Sequence, residues 1–202
     1  MPGLTESGEN KAWSILETMR PEDVCRDASV AFDSGSGCYL VRSYGLDFAV
    51  SLADKRITSQ SAGSDVLLQR LGEFFRLSIL WYLVKAREIP CTGRLVKLQQ
   101  VRGGDAFSRG SHVLPLGKVA AKYGRNTAGF LERGETLGGE EVKLADAAVR
   151  LHPFPRIPVV VMLWLEDAEF PARADILLDS TCELQLPTDV LWSIAMMSLL
   201  LL

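Results

Sequence analysis

The spacing of apolar and polar positions changes period several times along the chain, and each change predicts an element. Residues 1 to 9 are rich in Gly, Ser and Glu and read as a disordered start. Around Lys11 to Met19, Trp13, Ile15, Leu16 and Met19 gather mostly on one side of a short helix that Pro21 ends. Asp33 to Gly37 is a loop by composition. Cys38 to Arg42, Leu46 to Leu52 and Arg56 to Ser59 read as strands joined at Tyr44-Gly45 and Asp54-Lys55. Phe48 and Val50 share one face and Ala49 and Ser51 the other, as in an antiparallel meander with one buried side.

From Asp65 to Arg87 the period becomes helical. Asp65, Gln69, Glu73 and Arg76 form one polar stripe, and beyond Arg76 the sequence is apolar nearly all round. The front of this helix is expected on the surface and its back in the core, with Pro90 and Thr92-Gly93 closing it. Arg94 to Leu98 predicts a strand and Gly103 to His112 a loop. Leu116 to Tyr123 predicts a short helix ended by Gly124, and Thr127 to Arg133 another, capped by Asn126. Ala147 to His152 and Val159 to Leu165 are strands around a proline-rich corner, and a further apolar run, Ile176 to Leu178, ends on Asp179. Val190 to Leu202 is uncharged but shorter than the ~20 residues a bilayer crossing needs, so it reads as a helix packed into the core. The order of elements predicts an α+β fold, a mostly antiparallel sheet packed on a long central helix and a C-terminal apolar helix. Residues 37–202 are expected as one domain, behind an N-terminal tail and short helix over 1–36.

Composition narrows the function classes. The chain has 202 residues, 48% hydrophobic and 23% charged, which is ordinary for a single globular domain able to bury its own core. Its net charge of −3 is interspersed, with no basic stripe for a phosphate backbone, so nucleic acid is not an expected partner. Cys25, Cys38, Cys91 and Cys182 are widely and irregularly spaced, without a zinc or cluster pattern. They read as reduced, mostly buried thiols. With a polar, acidic start that lacks an apolar leader, they predict a cytoplasmic protein without a transmembrane span.

Chemistry has two places to sit. Glu166, Asp167 and Glu169 follow the apolar run that ends at Leu165, and Asp179 and Asp189 stand further on. Clustered carboxylates suit a hard cation such as Mg²⁺ or Ca²⁺, with Asp167, Glu169 and Asp179 as the ligands, or an acid/base pair. The alternative is a solvated strand exit, with Asp189 capping the last helix and Arg156 or Arg173 as ionic partners. The second place is the glycine-rich loop from Gly103 to Pro115. There His112, Arg109, Phe107, Gly103 and Gly104, with Trp164 from the strand, are the ligand-binding candidates. A lone loop histidine such as His112 is more often simply exposed or hydrogen-bonded, and His152 reads as packed at a strand end. No G-x-S-x-G elbow, H-E-x-x-H pair or phosphate-loop motif is present.

Two strings, YLVKAREIPCTGRLVKLQQVRGGDAFSRGSHVLPL from Tyr82 to Leu116 and PFPRIPVVVMLWLEDAEFPARADILLDSTCELQLPTDVLW from Pro153 to Trp192, carry a resemblance. They resemble the domain-of-unknown-function family DUF3786, met mostly in anaerobic bacteria and archaea, over the chain from about Asp47 onward. The positions matching its motifs are Gly103, Gly104, Phe107, Gly110, His112, Trp164, Asp167, Glu169, Phe170, Pro171, Asp179, Pro187 and Asp189. Some relatives join such a domain to a four-cysteine iron–sulfur module like that of the corrinoid iron–sulfur protein. The resemblance therefore implies redox or corrinoid-associated company, with a redox or iron–sulfur protein as partner, although this chain lacks the cysteine cluster. Three functions are in play. The first is a ligand- or cofactor-binding module of unspecified cofactor. The second is a metal-dependent enzyme combining the carboxylates with His112. The third is a structural docking protein, a homodimer through the C-terminal helix.

Overall fold

The computed structural model describes residues 4–104 and 113–202. Among these residues the strands form two antiparallel sheets where one was expected. The first holds β1 (Ala31–Asp33), β2 (Cys38–Ser43), β3 (Leu46–Ser51) and β4 (Arg56–Thr58) in sequence order. Tyr44 and Gly45, at φ 47° and 76°, make the tight turn of left-handed residues that suits the twist of a hairpin. Phe48 and Val50 are buried, and Ala49 and Ser51 half-buried, as the alternation predicts. The second sheet holds β5 (Leu95–Lys97), β6 (Glu140–Glu141), β7 (Ala147–Phe154), β8 (Ile157–Trp164) and β9 (Arg173–Asp179), in the order β5-β9-β8-β7-β6.

The two sheets meet at the Tyr44-Gly45 turn. The Tyr44 N–H donates to the His152 carbonyl at 2.9 Å. A Cβ on Gly45 would lie 2.9 Å from the Gly138 Cα, so the two backbones touch where both residues have positive φ. Only glycine fits that contact.

The expected long helix is divided. Val66–Arg70 is a π-helical turn, closed by Leu71 N–H donating to the Val66 carbonyl at 2.9 Å, and α3 runs from Gly72 to Lys85. The predicted polar stripe holds, with Asp65, Gln69 and Glu73 exposed, while Phe75, Ile79, Leu80, Tyr82 and Leu83 are fully buried. Phe75 packs on Phe48 of the first sheet and Tyr82 stacks on Phe154 of the second, both at 4.6 Å between ring centroids. The helix thus serves both sheets. α7 (Thr188–Leu201) lies against it, with Trp192 edge-on to Phe74. Val190, Leu191, Ile194, Ala195 and Met197 are at most 1% exposed, so the helix packs into the core as expected. Pro187 occupies its N-cap, and Asp189, expected there, lies in the first turn, where its charge still suits the helix dipole.

The segment before the first sheet departs most from expectation. α1 runs from Leu4 to Leu16, into the stretch read as disordered. Pro21 does not merely end a helix: it opens α2 (Pro21–Ala28), with Glu22 and Asp23 in the first turn, the arrangement a helix start favours. Ala12, Trp13, Leu16, Val24 and Ala28 share one hydrophobic core with both sheets, so the segment expected as a tail contributes to it. α4 (Leu116–Tyr123) and α5 (Thr127–Thr136) fall where predicted, and the Asn126 carboxamide accepts from Gly129 N–H at 2.9 Å. A short α6 (Cys182–Gln185) and the two-residue β6 were not anticipated. The fold is α+β, and among the described residues no helix is long and apolar enough to cross a membrane.

Candidate functional site

The second sheet has two unlike faces. Val149, Leu151, Val159, Val161, Leu163, Ile176 and Leu178 point into the common core, toward α3, α4, α5 and α7. The alternate residues Ala148, Val160 and Met162 form a separate small cluster with Leu95, Val142, Trp164 and Leu177, to which no helix contributes. A hollow stands at each end of this outer face.

At the β8–β9 end, Trp164, Leu165, Phe170, Pro171, Ala172, Arg173, Asp146 and Asp167 line a cavity of about 650 Å³. Trp164 and Arg173 are a cross-strand pair, and the Arg173 guanidinium lies 4.2 Å above the indole centroid. No ion pair involving Arg173 is present among the described residues. Asp146 Oδ2 accepts from Leu165 N–H at 2.8 Å, which anchors the strand exit. Asp167 Oδ1 accepts from Glu169 and Phe170 N–H at 2.8 and 2.7 Å, and Asp167 N–H donates to the Phe170 carbonyl at 3.0 Å. These bonds fold the loop into a closed turn and hold the Asp167 carboxyl below its ordinary pKa. The turn presents Phe170 outward at 66% exposure. Asp146 Oδ1 and Asp167 Oδ2 accept no hydrogen bond from the described residues, and both residues line the hollow.

Across the same loop lies a second hollow of about 610 Å³, between the end of α4 and Glu166, Pro171 and Ala172. Gly124 permits this approach, because a Cβ there would collide with Ala172. Arg125, rather than Arg156 or Arg173, is the ionic partner of Glu166. Arg156 instead donates to the Asp27 and Arg26 carbonyls at the end of α2, at 2.6 and 3.0 Å.

The opposite end is built around Asp179, which is 2% exposed. It accepts from Gly93 N–H at 2.7 Å, from Thr92 N–H at 3.2 Å, and from Thr181 N–H and Oγ1 at 3.0 and 2.8 Å. Burial by itself would raise its pKa; the bonds from Thr181, Thr92 and Gly93 outweigh burial and leave it lowered. The cavity there, about 350 Å³, is lined by Cys91, Arg150, His152 and Glu140 among others. Partial desolvation pushes the Cys91 thiol up, and the neighbouring Asp179 charge adds to it. Arg150 is bound to Glu140 at 2.9 Å, and His152 Nε2 lies 3.9 Å from the same carboxylate. His152 is exposed rather than packed.

The expected site residues therefore divide. Trp164 and Asp167 meet at one hollow. Asp179 lies six residues along β9 from Arg173, about 20 Å away at the rise of a strand, and its oxygens are occupied. Glu169 is exposed on the loop. Among the described residues no group of three His, Cys, Asp or Glu could hold a metal ion. Gly103 and Gly104 sit near the α7 N-terminus, where Thr188 Oγ1 donates to the Arg102 carbonyl at 2.7 Å. A Cβ on Gly104 would lie 1.8 Å from the Leu98 carbonyl oxygen, so this glycine is required by the backbone. Phe107, Arg109 and His112 lie outside the described residues. The sequence reading missed Asp146 and Arg173 as partners of Trp164. The signal for Arg173 was the strand register, which needs both ends of the hairpin. The four cysteines are unpaired, as expected, but only Cys182 is buried, its pKa pushed up to about 12 by that burial, and Cys91 is exposed.

A family model described as Domain of unknown function (DUF3786) matches residues 20–199. The match begins well before Asp47 and takes in α2 and the whole first sheet. No curated protein and no solved structure matches the chain.

Proposed function

The chain belongs to the DUF3786 family, and we propose that it is a non-catalytic ligand- or cofactor-binding module whose ligand seats in the hollow over Trp164. The observation that supports this reading is the make-up of that hollow. It combines an indole already stacked with a cation, an exposed phenyl ring, and two carboxylate oxygens without partners, in about 650 Å³. Small-ligand sites have this character, apolar walls with a few placed polar groups in about 300–1,000 Å³. Arg173 supplies N–H donors, and Asp146 and Asp167 supply acceptors. The ligand class that fits is a planar heteroaromatic ring with both donor and acceptor atoms on its edge. The redox or corrinoid-associated setting is part of the proposal, and it makes flavins and corrinoids the first compounds to try.

The test is purification under strict anoxia followed by an absorption spectrum, then calorimetric titration with flavin mononucleotide and with hydroxocobalamin. Binding of either, weakened at least tenfold in Trp164→Ala and in Arg173→Ala, supports the site. Equal affinity in both variants would place the ligand elsewhere.

A further inference from the structure

A further cavity, sharing no lining residue with the hollows already described, lies where the two sheets join. It measures about 240 Å³ and is walled by Leu46, Val66, Leu67, Leu137 and Leu201, with Arg133 and Thr136 at one side. Its walls come from the β2–β3 turn, the π-helical turn, the end of α5 and the end of α7. The π-helical turn adds an independent pointer. Such turns insert a residue into the helical ladder and occur often at functional sites, and here the inserted turn supplies Val66 and Leu67 to the wall.

Arg133 gives the cavity its chemistry. Its Nε donates to the Leu201 carbonyl at 2.8 Å and its Nη1 to Thr136 Oγ1 at 3.4 Å. Thr136 Oγ1 in turn donates to the Arg133 carbonyl at 2.8 Å, so the guanidinium is held from both sides. No carboxylate side chain pairs with it among the described residues. Of its five N–H donors, one on Nη1 and two on Nη2 remain. They form a fixed fork beside aliphatic walls, the arrangement that takes a carboxylate through two parallel hydrogen bonds. At about 30 Å³ for each water-sized group, the cavity holds roughly eight non-hydrogen atoms.

We infer that this cavity is a binding site for a short-chain aliphatic monocarboxylate, its carboxylate on Arg133 and its chain against Val66, Leu67 and Leu137. Hexanoate, with six carbons and two oxygens, is the probe.

The experiment titrates the full chain with sodium hexanoate and with hexanol, by calorimetry and by NMR of carboxyl-labelled hexanoate. The expected result is saturable hexanoate binding, with hexanol at least tenfold weaker. Arg133→Gln should weaken hexanoate at least tenfold, and Arg133→Lys, which keeps the charge and loses the fork, should fall between. Because Arg133 also holds the end of α7, a second variant leaves it intact. Ala62→Phe places a ring at the exposed rim of the cavity and should abolish binding while the circular dichroism spectrum stays unchanged. Trp164→Ala should leave hexanoate affinity unaltered, which separates this site from the outer face. Absence of saturation in the wild-type chain, equal binding of hexanol, or undiminished binding in both Arg133→Gln and Ala62→Phe would overturn the inference.

Discussion

The two ends of the outer sheet face each place an aspartate on backbone N–H groups, yet the two arrangements differ in what they leave over. Around Asp179 the carboxylate is 2% exposed and ties the 91–94 turn, through Thr92 and Gly93, to the start of α6, through Thr181. Both of its oxygens are engaged. Around Asp167 one oxygen does all the accepting, the other accepts from no described residue, and the turn it closes exposes Phe170. A buried carboxylate with several donors has one stable state, because removing it strands those donors. An exposed one shapes a loop at little cost and keeps an acceptor for a visitor. Similar local bonding thus yields a staple at one end and a receptive surface at the other.

The largest effect should come from removing what both ends rest on. Truncation after Trp192 deletes Ile194, Ala195, Met197, Leu199 and Leu201, each at most 5% exposed. At about 1.5–3 kcal/mol for each large buried side chain, the loss is comparable with the ~5–15 kcal/mol net stability of a typical domain. The truncated chain should be unfolded by circular dichroism, with no folded monomer to compare with a dimer. A folded monomeric product would show that α7 is an appendage and would support it as an interface.

Asp179→Ala comes next. It leaves the N–H groups of Thr92, Gly93 and Thr181 without their acceptor in a buried place, at a cost of about 3–5 kcal/mol. Urea melts read this directly, and Asp179→Asn should lose less, about 1–3 kcal/mol, because one oxygen remains. The pH dependence has a definite sign. The folded-state pKa is lowered, so the contribution is fully present above the unfolded value of about 3.9 and disappears as pH falls through the folded value. Wild-type stability should therefore decline below about pH 4 more steeply than that of Asp179→Asn. Equal slopes would mean the carboxylate is not the staple.

Much of this architecture is legible in the sequence, and the failures have physical causes. The meander from Cys38 to Thr58, the polar stripe of the 65–87 helix, and the Asn126 cap follow from period and capping alone. The α2 helix was lost because Pro21 signals both a stop and a start, and only Glu22 and Asp23 after it tell the two apart. The π-helical turn leaves the apolar period almost unbroken and so is invisible to it. At the site, the cluster of acids was visible but its division was not. Asp167, Glu169 and Asp179 stand close in sequence, but a strand carries Asp179 about 20 Å away, and no local pattern announces the Thr92-Gly93 turn that seals it. Arg173 over Trp164 is a cross-strand pair, knowable only from register.

The smallest effect on stability carries the finest distinction. Phe170→Ala should leave the stability read from urea melts unchanged within about 0.5 kcal/mol, since the ring is 66% exposed, while weakening the ligand of the Trp164 hollow. Asp167→Ala should reproduce that loss of affinity, because the turn that presents Phe170 loses the acceptor for two N–H groups. Asp167→Asn should lose less, since its amide oxygen can still accept both bonds in the Asp167 Oδ1 position and only the free acceptor Oδ2 is replaced by a donor. A divalent-metal reading of the same loop predicts equal losses in Asp167→Asn and Asp167→Ala. A carboxylate ligand to Mg²⁺ or Ca²⁺ would suffer from neutralisation as much as from truncation. Calorimetry on these three variants, with and without added Mg²⁺ or Ca²⁺, therefore separates a carboxylate that shapes a loop from one that binds a cation. A loss in Asp167→Asn as large as in Asp167→Ala, with no dependence on either metal, would instead make the free Asp167 oxygen, and not the turn, the main contact of the ligand.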